Sequence, residues 1–401
     1  MQRVGSVFRR ILLHDIWRNL ALFLGLVQVQ ILHWLLVVIR ADGLSGGAIL
    51  LLTLGAMWVN AWLVPLIRQG TRAAGWRRLA ARTYMNVGIG TMGVGLSVLA
   101  GWLVIYPAAH SLTFFGVDFA RASEIFRYAS GALTAGVTLM FAWGITLGQR
   151  LYARTHVPVR LPGLAPEHRG LRIVQISDLH IGNGLEDERL SALVDRVNEL
   201  EPDVIAITGD LFDNDAAIVP DGTRRLGALR ARLGVFAVLG NHDTYTGSEL
   251  IAEALAKNAP GIRLLRGEYA RLPLDPPIYL AGVDDPGRDW TARDLQVASL
   301  EKLAGKRPDD GPVVLLVHRP EVFHQASRLG FAVVLTGHTH GGQIALPLPG
   351  GHINPARIVT PFTRGIFRSG ESIMYVNRGV GMAGPRIRFN CRREIATIEL
   401  V

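Results

Sequence analysis

The chain has 401 residues, 49% of them hydrophobic, with a mean hydropathy of +0.26, which is apolar for a soluble protein, and its length allows two domains. Its net charge of +9 is concentrated at the front: residues 1–160 hold fifteen Arg against four acids, a balance of +11, leaving −2 for residues 161–401. A nucleic-acid partner would need a positive groove on that later part and is excluded on this ground, while a single cysteine, Cys391, excludes an intramolecular disulfide.

Four stretches without Asp, Glu, Lys or Arg occupy residues 19–39, about 45–67, 86–106 and 129–149. Each reaches the roughly 20 residues a helix needs to cross a bilayer, so residues 1–160 are expected to form an all-α transmembrane bundle of four spans. Trp34, Trp58, Trp62, Trp102 and Tyr106 supply interface or packing aromatics. Arg3, Arg9, Arg10 and Arg18 precede the first span; Arg68, Arg72, Arg77, Arg78 and Arg82 fill the loop after the second; Arg150, Arg154 and Arg160 follow the fourth. The positive-inside rule then puts both ends in the cytoplasm and makes the chain a multi-pass protein of the inner membrane. Arg9-Arg10 before an apolar run is faintly like a twin-arginine export signal, but no small-residue cleavage site is evident and three further spans follow. The spans carry no Asp or Glu to mark an ion path, which favours an anchor over a transporter.

Residues 161–170, with two prolines and two glycines, read as a linker, and residues 171–401 as the second domain. There, apolar strand-like runs at 172–176, 203–208, 235–239, 313–317 and 332–336 alternate with amphipathic helical patterns such as 186–200, 248–257 and 291–303, the signature of an α/β domain. Five polar islands follow those runs: Ser177-Asp178-Leu179-His180, Gly209-Asp210, Gly240-Asn241-His242-Asp243, His318 and Gly337-His338-Thr339-His340. Parallel strands deliver their C-terminal ends to one edge, so seven oxygen and nitrogen ligands are expected to converge in one crevice, as a two-metal hydrolase requires.

This succession resembles the calcineurin-like metallophosphoesterases, whose pattern runs D-x-H, G-D, G-N-H-[DE], H, G-H-x-H. The likeness spans about residues 170–400, and Gly341-Gly342-Gln343 and Asn377-Arg378-Gly379-Val380-Gly381 are similar to the bacterial membrane-associated branch. It departs at Asn390-Cys391-Arg392-Arg393-Glu394, where prolines are expected before the glutamate. The resemblance implies a sandwich of two mixed β-sheets flanked by helices, with Asp178, His180 and His340 on one divalent cation, Asn241, His318 and His338 on another, and Asp210 bridging them. Ligands without thiolate suit Mn²⁺, Fe²⁺ or Zn²⁺. A water shared by two cations about 4 Å apart exists as hydroxide near neutrality and attacks phosphorus in line.

His242, between a ligand and a carboxylate, is the expected general acid for the leaving oxygen, with Asp243 fixing its tautomer. Asn183, Asn214 and Arg378 are candidate contacts for substrate phosphate. Residues 343–368 interleave prolines, apolar residues and Arg357, Arg364 and Arg368, which reads either as a cover over sheet edges or as an apolar lip for an acyl chain. Gly209 to Asn214 lack the G-D-x-V-D-R-G of the protein phosphatases, and the third island ends in Asp rather than Glu. The resemblance therefore implies a membrane-anchored phosphodiesterase or pyrophosphatase for a lipid-linked phosphoester, with UDP-2,3-diacylglucosamine of lipid A synthesis the named candidate. Two alternatives stay open: a phosphodiesterase for soluble nucleotides, and a non-catalytic membrane receptor that binds nucleotide.

Overall fold

A computed structural model describes residues 16–39, 43–70, 76–287, 292–349 and 351–401. The chain divides into two units, Met1–Ile145 and Thr146–Val401. In the first, α1 (Ile16–Val38), α2 (Gly46–Gly70) and α3 (Trp76–Ala100) pack on one another; α3 continues through a π turn into α4 (Tyr106–Ser111), and α5 (Phe119–Thr146) follows. Gly25 lets α1 approach α2 closely, since a Cβ there would lie 2.5 Å from the Met57 nitrogen. The Asn60 amide donates to Gln28 Oε1 (3.0 Å) and accepts from the Tyr84 hydroxyl, a polar tie among three helices.

Three segments, Gly46–Leu63, Leu79–Phe115 and Phe119–Arg150, are long and apolar enough to cross a membrane. The expected count of four is not reached among the described residues. The first stretch is helical within Ile16–Val38, and its described apolar run is Leu22–Val38. Arg3, Arg9, Arg10 and Arg72 lie outside the described residues, as do the side chains of Arg18, Arg68 and Arg78.

The second unit holds strands β1 (Tyr152–Val159), β2 (Arg172–Ile176), β3 (Val204–Thr208), β4 (Val235–Val238), β5 (Ile262–Leu264), β6 (Glu268–Arg271), β7 (Tyr279–Val283), β8 (Val313–Val317), β9 (Val333–Thr336), β10 (Leu346–Leu348), β11 (Gly351–Ile353), β12 (Gly365–Ser369), β13 (Ser372–Val376) and β14 (Arg393–Leu400). One sheet has the order β1-β14-β2-β3-β4-β5, the other β12-β13-β9-β8-β7-β6, and β10–β11 form a separate hairpin. Both large sheets are mixed. Strands β2 to β5 are mutually parallel, as are β7, β8, β9 and β13, with antiparallel partners at β14/β2, β6/β7 and β12/β13.

Alternation along each strand explains the layers. Ile173, Val204, Phe236, Val314, Leu335 and Ile398 fill the space between the sheets. Their neighbours Val174 and Ile205 face helices α6 (Asp187–Asn198), α7 (Val219–Leu226) and, after the short α8 (Asn241–Thr246), α9 (Ser248–Asn258). On the other sheet, Leu315 and Val334 face α10 (Ala292–Ala304) and α11 (Phe323–Arg328). Burial on both faces is why these strands read as continuous apolar runs, and each such side chain contributes roughly 1.5–3 kcal/mol. The helix expected from Thr291 starts, among described residues, at Ala292.

The expected boundary at residue 160 moves upstream. Residues Tyr152 to Val159, assigned from sequence to the anchor, are the edge strand β1, parallel to β14 from Tyr152↔Arg393 to Val159↔Leu400. An edge position tolerates Pro158, which has no N–H to donate, and the pairing partner lies some 240 residues away, beyond any local pattern. Within 343–368, Phe362 and Phe367 pack against the core under β12, so these two serve as cover; Leu346, Leu348, Ile353, Ile358, Val359 and Ile366 face solvent.

Candidate metal centre

Strands β2, β3 and β4 of one sheet and β8 and β9 of the other end at the five islands, so their polar side chains meet where the two sheets' parallel strands terminate. The backbone turns sharply there. Asp178, His180, Asp210, His338 and His340 all have positive φ (51°, 44°, 53°, 73° and 51°), a region that non-glycine residues enter at a cost and that clusters at functional sites. Gly337 is required by contact: a Cβ would fall 1.9 Å from Ser177 Oγ and 2.4 Å from Asp178 Oδ2.

Ligand-type atoms converge in two groups sharing one carboxylate. In the first, His180 Nε2 lies 3.0 Å from His340 Nε2 and 3.4 Å from Asp210 Oδ2, and His340 Nε2 is 3.4 Å from Asp178 Oδ1. In the second, His318 Nε2 is 3.2 Å from both Asp210 Oδ2 and His338 Nδ1. Atoms bound about 2.1 Å from one cation stand about 3.0 Å apart at an octahedral edge and about 3.4 Å at a tetrahedral one, so both groups have the spacing of coordination shells. The tautomers agree. His318 Nδ1 donates to the Thr208 carbonyl (2.8 Å) and His180 Nδ1 to Asp213 (3.3 Å), which frees both Nε2 lone pairs. Asn241 Oδ1 is buried without a hydrogen-bond partner while its amide donates to Tyr245 (3.2 Å); an acceptor left thus calls for a cation. Residues and geometry fit two divalent ions.

The electrostatics of the polypeptide alone point the same way. Burial opposes a charge on His180, but the hydrogen bond to Asp213 and the charges of Asp210, Asp213 and Asp178 outweigh it and raise the pKa to about 8. Burial is likewise outweighed at His318, chiefly by Asp210, to about 10. His338 and His340 are pushed well below the usual range, by burial and then by His318 and His180 respectively. A cation must displace the protons on His180 and His318, so apparent metal affinity is expected to rise with pH through about 8 and toward about 10, with proton release on binding. Titration calorimetry in buffers of different ionisation enthalpy checks this, and a Kd that stays flat between about pH 6 and about pH 9 contradicts it.

His242 is half-buried beside this cluster. Its Nδ1 faces Asp213 Oδ1 at 3.0 Å and Asn214 Nδ2 at 3.2 Å. The carboxylate holding it is therefore Asp213, not Asp243 as the sequence suggested. Asp243 is buried and accepts backbone N–H groups from Gly240 (2.8 Å), Phe212 (3.0 Å) and Leu211 (3.1 Å), which locks the second island to the third; burial, then Asp210, push its pKa up to about 7. Asp213, absent from the sequence reading, serves two histidines, and the hydrogen bonds from His180 and His242 overcome burial to hold its carboxyl well below the usual range. Its only sequence signal is its place three residues after Asp210.

The three phosphate candidates separate. Asn214, exposed and with φ 54°, is at the His242 edge. Asn183 is buried, donating to the Met382 and Gly384 carbonyls (2.8 and 3.0 Å) and accepting from Arg386 (3.0 Å), so its polar atoms tie loops together. Arg378 pairs with buried Glu394 through its guanidinium Nη2 (2.5 Å) and its backbone N–H (2.9 Å), which fixes how the side chain is held. Arg388, also unforeseen, is fully buried and donates to the carbonyls of Arg378, Gly379 and Gly381, shaping the loop that packs against Asp178.

Residues 171–342 match the family model described as calcineurin-like phosphoesterase. The chain is 34% identical over 289 residues, covering 70% of it and 64% of the relative, to a zebrafish (Danio rerio) transmembrane protein with metallophosphoesterase domain. It thus spans less than two thirds of that relative's length. It is 30% identical over 288 residues to the metallophosphoesterase YkuE of Bacillus subtilis, covering 68% of this chain and 93% of the relative. Identity to the UDP-2,3-diacylglucosamine pyrophosphatase LpxG of Chlamydia trachomatis is 29% over 329 residues, covering 68% and 98%.

Proposed function

The chain belongs to the calcineurin-like phosphoesterase family, and from that premise we propose that it is a metal-dependent phosphoester hydrolase: a membrane-anchored, two-metal phosphodiesterase or pyrophosphatase whose substrate is a lipid-linked phosphoester at the cytoplasmic face. The observation that carries the two-metal reading is the pair of donor groups, Asp178/His180/His340 and Asp210/His318/His338, joined through Asp210 and completed by Asn241. Two bound cations of the Mn²⁺, Fe²⁺ or Zn²⁺ type supply Lewis acidity, making water nucleophilic and offsetting charge on the phosphoryl oxygens.

The protein's own groups do the rest. Asp210 faces both donor groups and keeps two positive charges close together. Asp213 accepts from His242 Nδ1 and thereby orients Nε2 to protonate the leaving oxygen, while the Asn214 amide donates to the same Asp213 oxygen (3.4 Å). Asp243 holds the backbone of both loops in register.

The cytoplasmic side does not depend on whether α1 crosses the bilayer. Arg68 in the last turn of α2, Arg72, and Arg77, Arg78 and Arg82 in the first turns of α3 make the end where α2 meets α3 the cytoplasmic one; two further crossings, by α3 and α5, return the chain to that side. If α1 also crosses, there are four spans and the N-terminus is cytoplasmic too. A lipid-linked substrate is favoured by the anchor, by the likeness to LpxG and by the −2 balance of residues 161–401, which suits no polyanion.

The test is full-length protein reconstituted with Mn²⁺ and offered UDP-2,3-diacylglucosamine, other lipid-linked pyrophosphates, soluble nucleotides and a generic phosphodiester. Hydrolysis that stops with chelator and returns with Mn²⁺ is expected, with kcat/KM highest on a lipid-linked substrate. Preference for a soluble nucleotide overturns the substrate class, and tight nucleotide binding with no turnover of any compound overturns catalysis.

A further inference from the structure

Among the described residues of the second unit, eleven large apolar side chains are exposed, and six fall between Leu346 and Ile366. Their arrangement is ordered. In the hairpin, Leu346 pairs with Ile353 and Leu348 with Gly351, so Leu346, Leu348 and Ile353 stand on one face of a two-stranded sheet that joins neither large sheet. Asn354 then caps a single turn, accepting the Arg357 N–H (3.2 Å), and the chain leaves it with Ile358 and Val359 at 89% and 80% exposure beside exposed Arg357. An open recess of about 400 Å³ is lined by Arg357, Val359, Thr360 and Pro361. On the edge strand β12, Ile366 and Arg368 alternate outward while Phe367 turns in.

Water is a poor solvent for such a tip, and its charge pattern identifies a better one. Residues 343–370 contain no Asp or Glu but hold Arg357, Arg364 and Arg368. Exposed apolar side chains in a segment that carries three arginines and no acid match the boundary between acyl chains and anionic headgroups. The segment is also tied to the metal ligands: Thr339, between His338 and His340, donates to the Thr363 carbonyl at 2.7 Å.

We propose that residues 346–368 form a docking lip by which the catalytic unit rests on an anionic phospholipid bilayer, the apolar tip entering the headgroup boundary and the arginines meeting lipid phosphates. This rests on the membrane reading above and deepens it. The anchor fixes the chain to a membrane, whereas the lip seats the hydrolase itself on that surface, so that a lipid-borne phosphoester needs no extraction into water to reach the ligand loop.

The chain's single cysteine, Cys391, is buried, so full-length protein carrying Ile358→Cys can be labelled there with an environment-sensitive NBD fluorophore and reconstituted into vesicles. In vesicles with about a third phosphatidylglycerol, the emission is expected to shift to the blue, to be quenched by lipids bearing a shallow nitroxide, and to recover at high salt. A Glu188→Cys label, exposed on α6, should remain polar and unquenched. Adding Arg357→Glu and Arg368→Glu to the Ile358→Cys protein should remove most of the quenching. A label at 358 as polar as that at 188 overturns the proposal. So does a blue shift that lipid nitroxides do not quench, which would mean cover by the chain's own helices or, where the shift grows with protein density, by a second copy. No readout here involves turnover, so failure of the lip and failure of the lipid-substrate reading are distinguishable.

Discussion

Asp210→Ala protein is expected to retain neither ion and to hydrolyse no ester at a measurable rate. The carboxylate is almost wholly buried, and its Oδ2 lies 3.4 Å from His180 Nε2 and 3.2 Å from His318 Nε2, so one atom belongs to both donor groups. Its Oδ1 accepts the His242 N–H at 2.8 Å, which also fixes where the third island begins. Deletion removes the negative charge between two cation positions and leaves each with an incomplete set; the activity loss should far exceed the roughly 10- to 100-fold that follows loss of a supporting hydrogen bond. Asp178→Ala, by contrast, removes a ligand from one group only, and one ion should remain. Elemental analysis of the purified variants, with circular dichroism as the folding control, reads the difference: two tightly held metals in Asp210→Ala protein would refute the bridge. Asp210→Asn keeps the shape and the Oδ1 acceptor while losing the charge, so weaker binding of both ions there would separate electrostatics from packing.

The seven ligand candidates were legible because each island follows a buried parallel strand, and parallel topology alone sends those strand ends to one place. Local pattern carried no such information about partners. The strand Tyr152–Val159 contains Pro158 and alternating exposure, and only β14 at the far end of the chain makes it part of the sheet. Glu394, sixteen residues beyond Arg378, pairs with its guanidinium, a partner that the glycine turn next to it does not signal. The sequence neighbour of His242 is Asp243, yet at the start of α8 the Asp243 side chain turns back to the Gly240 N–H, while Asp213 from the preceding loop reaches the imidazole. Adjacency in a helix start points consecutive side chains apart, so it misassigned the partner. In 343–368, the phenylalanines cover a sheet edge, as one of the two readings expects, and the aliphatic side chains face out.

His242→Ala is expected to lower turnover of an alkyl phosphodiester by about 10² to 10⁴, the usual worth of a general acid, while a nitrophenyl ester, whose leaving group needs little protonation, is hardly affected. Both metals should stay. That point is decisive, because His242 also lies within ligand distance of His180 and Asp210, and loss of an ion would make it a ligand instead. Asp213→Asn should reproduce the leaving-group dependence, since the amide no longer orients the imidazole as a carboxylate does, and should in addition weaken metal binding roughly 10- to 100-fold through His180. Asp243→Ala should do neither in the surviving folded protein. It leaves the N–H groups of Gly240, Phe212 and Leu211 without their acceptor, at roughly 1–3 kcal/mol for each one that finds no other partner, so its signature is a lowered Tm. Equal losses on both esters in His242→Ala protein would assign that ring to charge stabilisation, and a leaving-group effect that followed Asp243 rather than Asp213 would restore the pairing that sequence adjacency suggested.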